Sequence, residues 1–172
     1  WGGRNQLTPA IAMAAKICGG ETDVCTVSAY GYSPYLMETS PFVGAIYSIV
    51  ASVSKVVATG ARYEDIRLTL QEFFERMTSD KKVWGIPTSA LLGAVYAQMG
   101  LSLGAIGGKD SMSGTFEHIH VPPTLISFAL APAKASRLIS NVLKGGEKVW
   151  RLPVPKDGQY VPDFEKLKAV YR

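Results

Sequence analysis

The chain has 172 residues, 47% of them hydrophobic and 19% charged, a composition that predicts a folded protein with a substantial core and excludes a disordered chain. Its net charge of +4 is small and its lysines and arginines are scattered, so charge gives no reason to expect nucleic acid or a membrane surface as a partner. Cys18 and Cys25 lack zinc-type spacing, and no apolar run approaches the length of a membrane span. We therefore expect a cytoplasmic protein with buried, reduced thiols.

Hydrophobic periodicity predicts an alternation of strands and helices. Aliphatic residues between Ile46 and Val57 repeat at three and four positions, which is typical of a helix with one buried face. A strand, a helix and a second strand then follow, which is typical of a crossover unit in an α/β sheet. The expected elements are helices over 10–18, 44–59, 88–99, 133–144 and 163–171, and strands over 23–32, 67–74, 101–106, 124–130 and 148–154.

This order predicts a two-layer α/β domain, in which one sheet carries its helices on one face. The nearly continuous apolar run at 124–130 favours a strand buried on both faces, so the second sheet face also needs a cover. Gly145 and Gly146 mark an expected domain boundary. Because the chain starts without methionine and its last helical pattern runs to Arg172, we expect a piece of a longer protein.

The most polar motif is GGKDSMSG, at residues 107–114, directly after an expected strand. Its glycines would let the backbone approach an anion closely, and a lysine, an aspartate and two serines follow within five residues. Strand ends are where α/β sheets tend to bind ligands, although the spacing differs from that of a Walker A loop. The residues alone leave two interpretations open, a phosphate or metal site and a polar turn whose side chains bond backbone.

Other polar residues carry weaker signals. Asp23, at the start of a strand, is expected to be a turn or cap residue, with a metal ligand that reaches toward Asp110 as the alternative. Glu117, His118 and His120 form a small cluster, for which polar residues of an edge strand are a better interpretation than a metal pair. No Ser-His-Asp set and no reactive-cysteine surroundings are recognisable, so catalytic residues remain unknown.

Five stretches of the chain carry a resemblance to a known family, and they cover most of residues 1–144 in the family's order. They are ETDVCTVSAYGYSPYL (21–36), SPFVGAIYSIVASVSKVVATGA (40–61), RLTLQEFFE (67–75), GAIGGKDSMSGTF (104–116) and VPPTLISFALAP (121–132). The chain resembles phosphoribosylformylglycinamidine synthase, a large glutamine-dependent enzyme of purine biosynthesis. Within it, the chain is similar to the second of two aminoimidazole-ribonucleotide-synthetase-like (PurM-like) halves. The resemblance implies an N-terminal α/β domain over 1–144 and the start of a truncated C-terminal domain over 145–172.

The resemblance also implies an activity, a ligase that forms a carbon–nitrogen bond with ATP and with glutamine as amide donor. Such an enzyme converts formylglycinamide ribonucleotide to formylglycinamidine ribonucleotide. ATP or ADP and Mg²⁺ are the implied cofactors. The implied metal ligands are Asp23 and Asp110, whose carboxylates we expect within roughly 4 to 7 Å of each other if they share an ion. The implied nucleotide-binding residues are Gly107, Gly108, Lys109, Asp110, Ser111 and Ser113. Lys109 and Ser111 are expected to point to the same pocket as the two aspartates.

The chain departs from the family at two positions of one helix. Ala51 and Lys55 stand where the family has a glutamate ligand and, in many members, an asparagine. The helix would thus present a methyl group and a cation in place of two oxygen ligands, which puts a full metal site in doubt.

The resemblance implies partners as well. They are the rest of the same enzyme, namely its first synthetase-like half and its glutaminase domain, and a nucleotide as the small-molecule ligand. We expect the isolated piece to be inactive and to form a homodimer, because two such domains pair their sheets into a barrel. The alternatives are a noncatalytic nucleotide-binding or assembly module and a related selenophosphate or thiamine-phosphate kinase.

Overall fold

The computed structural model describes residues 11–140 and 142–172. Its strands are β1 (Met13–Lys16), β2 (Val24–Gly31), β3 (Arg67–Phe73), β4 (Ala105–Lys109), β5 (Thr115–Phe116), β6 (Ile119–His120) and β7 (Thr124–Lys134). Its α-helices are α1 (Pro34–Thr39), α2 (Pro41–Ala58), α3 (Lys81–Leu101) and α4 (Phe164–Tyr171), and short 3-10 turns occur at Ile17–Gly20, Tyr63–Asp65 and Ala135–Arg137.

Five of the strands form one mixed sheet in the order β1-β2-β7-β3-β4. β3 and β4 are parallel and are joined through α3, whereas the other neighbouring pairs are antiparallel. The crossover unit is therefore confirmed. β5 and β6 form a separate two-stranded hairpin. The sheet is open, and no closed barrel forms within the described residues.

The helix layer covers one face of this sheet. Ser40 caps α2 by accepting a hydrogen bond from the Val43 amide at 3.3 Å, and Pro41 occupies the first helical position, where its missing amide costs nothing. α2 packs on β2 and β7, and α3 packs on α2. The buried side chains between the layers include Ile46, Ile49, Val53, Leu68, Leu125 and Ala129. The predicted two-layer α/β architecture is confirmed.

α2 also corrects an expectation about apolar segments. By length and composition alone this 18-residue helix could cross a membrane, so the sequence interpretation that no apolar run approaches that length was wrong. Half of its residues are buried inside the fold. Packing between the sheet and α3 thus accounts for its apolar composition.

The other sheet face remains largely uncovered by the described residues. Side chains that alternate with the buried set along β1, β2 and β7 point to this face, and Met13, Val24 and Leu130 are 63%, 45% and 39% exposed. Ile126 and Phe128 lie beside them and are half-buried. β7 is therefore buried on one face only, and an apolar surface extends across three strands.

Two expected helices do not form. Residues 13–16 are a strand that pairs with β2. In the predicted helix over 133–144 the described residues are the end of β7, which pairs with β2 at Lys134, then the 3-10 turn Ala135–Arg137 and irregular backbone. Hydrogen bonds between strands and side-chain contacts across the sheet outweigh the small differences in intrinsic helix propensity on which the two helix predictions rested. The first residue of the predicted helix over 10–18 lies outside the described residues.

Other boundaries shift for local reasons. α3 begins seven residues earlier than predicted, because Asp80 caps it by accepting from the Lys82 amide at 2.9 Å, and Pro87 lies inside the helix. The strand expected over 101–106 is β4, which starts at Ala105. Residues 148–154 form no regular strand, so that prediction was wrong. The strands over 23–32 and 67–74 and the capped C-terminal helix are confirmed to within one or two residues.

The C-terminal segment packs against the helix layer. The Phe164 ring lies against Gly100 of α3, and the Tyr171 hydroxyl lies 2.7 Å from the Ser54 hydroxyl of α2. Gly145 and Gly146, at the predicted boundary, have φ of 95° and 87°, a conformation that favours glycine. The assignment of 145–172 to a second domain stays a prediction.

Candidate functional site

The GGKDSMSG motif lies in an extended segment beside β3. Gly107, Gly108 and Lys109 are part of β4 and stand opposite Thr69, Leu70 and Gln71. The pairing continues beyond β4, because the Ser111 amide donates to the Glu72 carbonyl at 2.9 Å and the Phe74 amide donates to the Ser111 carbonyl at 2.8 Å. The motif is therefore neither a compact phosphate loop nor an isolated polar turn.

The two glycines of the motif have different surroundings. A Cβ at Gly108 would lie 2.6 Å from the Leu70 carbonyl oxygen, so close strand packing accounts for that glycine. A Cβ at Gly107 would meet no atom within 4 Å. Gly107 therefore leaves its backbone accessible on the uncovered sheet face.

Strand alternation divides the polar side chains of the motif between the two faces of the sheet. Lys109 pairs with Gln71 and shares the uncovered face with it, and the Lys109 ammonium donates to the Asp110 carbonyl at 2.9 Å. Asp110 is opposite Glu72 in the continued register, on the helix side. Alternation thus places Lys109 and Ser111 on one face of the sheet and Asp110 on the other, and the assignment of these residues to a nucleotide site stays a prediction.

Glu72 lies beside the motif and was not among the predicted site residues. Its Oε1 atom is buried and has no hydrogen-bond partner within the part of the chain that the structure describes. Burial, and next the negative charge of Asp110, raise the pKa of the Glu72 carboxyl. The signal was the alternation Leu68, Leu70, Glu72, which places this carboxylate on the same face as two apolar residues. Glu72 and Asp110 thus form a pair of neighbouring carboxylates at the β3–β4 edge.

Asp23 lies at the opposite end of the strands. β2 and β4 run in the same direction, and Asp23 precedes β2 whereas Asp110 follows β4. The register of β7 places Lys134 beside Val24 and Leu125 beside Glu72, nine residues apart, which is about 30 Å of strand. The expected convergence of Asp23 and Asp110 within one chain was therefore wrong, because the sequence interpretation did not follow strand direction.

Asp23 has a structural role where it stands. Its two carboxylate oxygens accept from the Ser136 amide at 2.8 Å and from the Ser136 hydroxyl at 2.7 Å, and these bonds lower the pKa of the carboxyl. The Asp23 carbonyl also accepts from the Ala135 amide at 2.7 Å. These contacts tie the start of β2 to the turn after β7, as the turn or cap interpretation predicted.

Ala51 and Lys55, the departures on α2, lie above β2. A Cβ at Gly31 would be 2.8 Å from the Ala51 Cβ, and the Lys55 ammonium donates to the Tyr30 carbonyl at 2.7 Å. Three strand spacings of about 4.8 Å each separate β2 from β4 and hence from Asp110. Among the described residues no three His, Cys, Asp or Glu side chains gather where they could hold a metal ion.

The histidine cluster belongs to the β5–β6 hairpin. His120 Nδ1 lies 3.2 Å from Glu75 Oε2 and 3.0 Å from the Thr115 hydroxyl, and Glu117 stands in the hairpin turn with φ of 53°. His120 thus pairs with a carboxylate, and the interpretation as polar edge residues is the better one. Both cysteines are free, as expected, but Cys18 is exposed and only Cys25 is buried.

The Glu72 environment predicts how stability changes with pH. Because the folded protein raises the pKa of this carboxyl above its unfolded value near 4.5, ionisation of Glu72 opposes folding. The penalty is absent well below pH 4.5, grows as pH rises from the unfolded pKa to the raised folded pKa, and is constant above it. Glu72→Gln is expected to raise the free energy of unfolding at pH 7 and to match wild type at pH 4. Urea denaturation at the two pH values measures this, and an equal effect at both would contradict it.

Solved structures of other proteins share this fold. Phosphoribosylformylglycinamidine synthase II from Thermotoga maritima is similar with a TM-score of 0.65 and 16% identity, over 76% of this chain and 21% of that chain. T. maritima PurL complexed with ADP is similar with a TM-score of 0.63 and 18% identity, over 75% of this chain and 21% of that chain. AaThiL complexed with AMPPCP and TMP has a TM-score of 0.50 and 13% identity, over 72% of this chain and 36% of that chain. No family model and no curated protein matches the chain.

These similarities show the fold class. The domain is a mixed α/β fold of the PurM-like type, in agreement with the expectation from sequence. The chain spans about a fifth of the length of the PurL chains that it matches. At such identities the likeness shows the fold alone.

Proposed function

We propose that the chain is a nucleotide-binding module of an ATP-dependent enzyme with a PurM-like fold. The observation that carries the proposal is the match of about three quarters of the chain to PurL structures, among them complexes with ADP and with ATP. The motif at the end of β4 supports it. Gly107 has an accessible backbone, and within the described part of the chain the Ser111 and Ser113 side chains make no hydrogen bond. Their hydroxyls are free to donate to phosphate oxygens.

The carboxylate pair lies on the helix side of β4 and fits a divalent cation there. Gly107 and Ser111 face the other side of β4, which is the edge strand, so bound phosphates would reach the cation around this edge. Mg²⁺ is commonly held by one or two carboxylates, with phosphate oxygens and water completing its coordination. Asp110 and Glu72 supply such a pair, and a bound cation would partner the buried Glu72 Oε1. When bound, Mg²⁺ would neutralise phosphate charge. Asp23 does not belong to this proposed site, because both its carboxylate oxygens already accept from Ser136.

The finer proposal concerns the enzyme to which the module belongs. The five resembling stretches favour phosphoribosylformylglycinamidine synthase, with glutamine as amide donor and with the other synthetase-like half and the glutaminase domain as partners. A piece that lacks those parts would not form formylglycinamidine ribonucleotide from either glutamine or ammonia. The absence of carboxylates at Ala51 and Lys55 favours a site in this half that supports structure more than turnover.

Calorimetric titration with ADP, with and without Mg²⁺, tests the proposed site. Wild type is expected to bind ADP more tightly with Mg²⁺ than without it. Asp110→Asn is expected to bind ADP about tenfold or more weakly in the presence of Mg²⁺, since it removes the negative charge of a metal-binding carboxylate. Glu72→Gln is expected to weaken the Mg²⁺ effect as well. Asp65→Asn makes the same chemical change in the 3-10 turn before β3 and serves as the matched control.

Two results would contradict this site. One is wild-type ADP binding that Mg²⁺ leaves unchanged, and the other is equal affinity in wild type, Asp110→Asn and Asp65→Asn. If no variant binds ADP and the chain nevertheless associates with other proteins, the noncatalytic assembly module becomes the better interpretation.

A further inference from the structure

The fold also contains a cavity that Asp110 and Glu72 do not line. A cavity of about 340 Å³ opens between the first turns of α3, the segment after β3 and the segment before β7. This volume is at the low end of the range of about 300 to 1,000 Å³ that is typical of small-molecule sites. Apolar side chains form two sides of the cavity. One side consists of Val83, Ile86 and Pro87 of α3, and the other consists of Val121, Pro122 and Pro123 of the segment before β7. Such walls fit a compact apolar group.

The polar groups of the cavity are Glu38, Glu75 and His120. His120 Nδ1 is 3.2 Å from Glu75 Oε2, which is an ion-pair distance when the ring is protonated. The Thr115 hydroxyl accepts from the Arg76 amide at 2.9 Å and lies 3.0 Å from the same ring nitrogen, which fixes the ring further. The imidazole is thus held in place by Glu75, which lines the cavity, and by Thr115, which does not.

The charge of the lining favours one class of ligand. Among the described residues that line the cavity there is no lysine and no arginine, and its two carboxylates are hydrogen-bond acceptors. Glu38 has no ion-pair partner in the described part of the chain, so its charge is not neutralised by the protein. A ligand that donates hydrogen bonds and carries positive charge would complement these groups, whereas an anion would be repelled.

We propose that this cavity binds a small organic cation, an ammonium group attached to an apolar ring or branched body. The apolar body packs between the α3 side chains and the two prolines before β7, and the ammonium group donates to Glu38 and Glu75. The site is separate from the nucleotide proposal, because Asp110 and Glu72 do not line the cavity. The result of a ligand-binding test on this cavity is therefore independent of the result of the ADP titration.

Three probes with the same ring and different charge test the proposal. Benzylamine, benzyl alcohol and benzoate are titrated into the 172-residue chain while the His120 ring protons and backbone amides are followed by NMR. Benzylamine is expected to give saturable shifts at millimolar concentration that centre on His120 and Val83, benzyl alcohol weaker ones and benzoate none. Glu38→Gln and Glu75→Gln are each expected to weaken benzylamine binding about threefold to tenfold.

Glu117→Gln, in the hairpin turn outside the cavity, is the matched control and is expected to bind benzylamine like wild type. Glu38 is exposed, so Glu38→Gln keeps the test valid if Glu75→Gln fails to fold. Equal shifts for the three probes, no saturation with benzylamine, or equal benzylamine affinity in Glu38→Gln and Glu117→Gln would overturn the proposal.

Discussion

Replacing Gly93 with alanine is expected to lower the free energy of unfolding by about 3 kcal/mol, at the upper end of overpacking effects. α3 crosses α2 at this glycine, and a Cβ there would lie 2.2 Å from the Phe42 carbonyl oxygen and 2.9 Å from the Phe42 carbonyl carbon. Both contacts are to backbone at the start of α2, whose other face is buried on the sheet. The two helices must therefore separate, and core contacts would be lost along both.

Gly85→Ala is the matched control in the same helix. No atom lies within 4 Å of a Cβ at Gly85, so the change adds helix propensity without a clash and is expected to raise stability by about 0.5 to 1 kcal/mol. Urea denaturation followed by circular dichroism measures both variants. Opposite signs are expected. If Gly93→Ala were as stable as Gly85→Ala, the close approach of α3 to Phe42 would be wrong.

The helices and strands that could be predicted are those whose own sequence contains the cause. α2 has its aliphatic repeat and a Ser-Pro start, and α4 has Asp163, which accepts from the Lys166 amide at 3.2 Å. β2 and β3 carry the β-branched and alternating patterns that fit a sheet with one buried face. In these elements local preference and tertiary packing agree, which is why sequence reasoning located them.

The elements that could not be predicted depend on distant pairing. Residues 13–16 are a strand because β2 offers its edge, and β7 extends to Lys134 because Val24 is still opposite. Neither partner can be recognised from the residues of the segment itself. The alanine-rich and leucine-rich patterns describe local preferences of well under 1 kcal/mol per residue, which sheet pairing easily exceeds.

The candidate site shows the same division. Sequence reasoning located Asp110 at a strand end, and the resemblance identified its motif. Which other groups lie near it depends on strand direction and register, which the sequence does not show. The strand register brings Glu72 beside Asp110 and places Asp23 at the opposite end of the strands. A carboxylate in line with buried leucines was the signal for Glu72, and it required knowing which face of β3 is covered.

The uncovered sheet face gives the second large expected effect. We expect the isolated chain to form a dimer through this face, because the apolar side chains of Met13, Val24, Ile126, Phe128 and Leu130 lie on it across β1, β2 and β7. The family resemblance favours the same pairing. Leu130→Lys is expected to weaken dimerisation at least about 100-fold, since it buries an unpaired charge in the interface.

Leu92→Lys is the matched control for the dimer. Leu92 is an exposed leucine of α3, on the helix layer and away from the uncovered sheet face. Sedimentation equilibrium at micromolar concentration is expected to show wild type and Leu92→Lys as dimers and Leu130→Lys as a monomer with unchanged circular dichroism. A monomeric wild type would contradict pairing through this face. Dissociation by Leu92→Lys but not by Leu130→Lys would place the interface on the helix layer, because the added charge weakens only a contact in which it is buried.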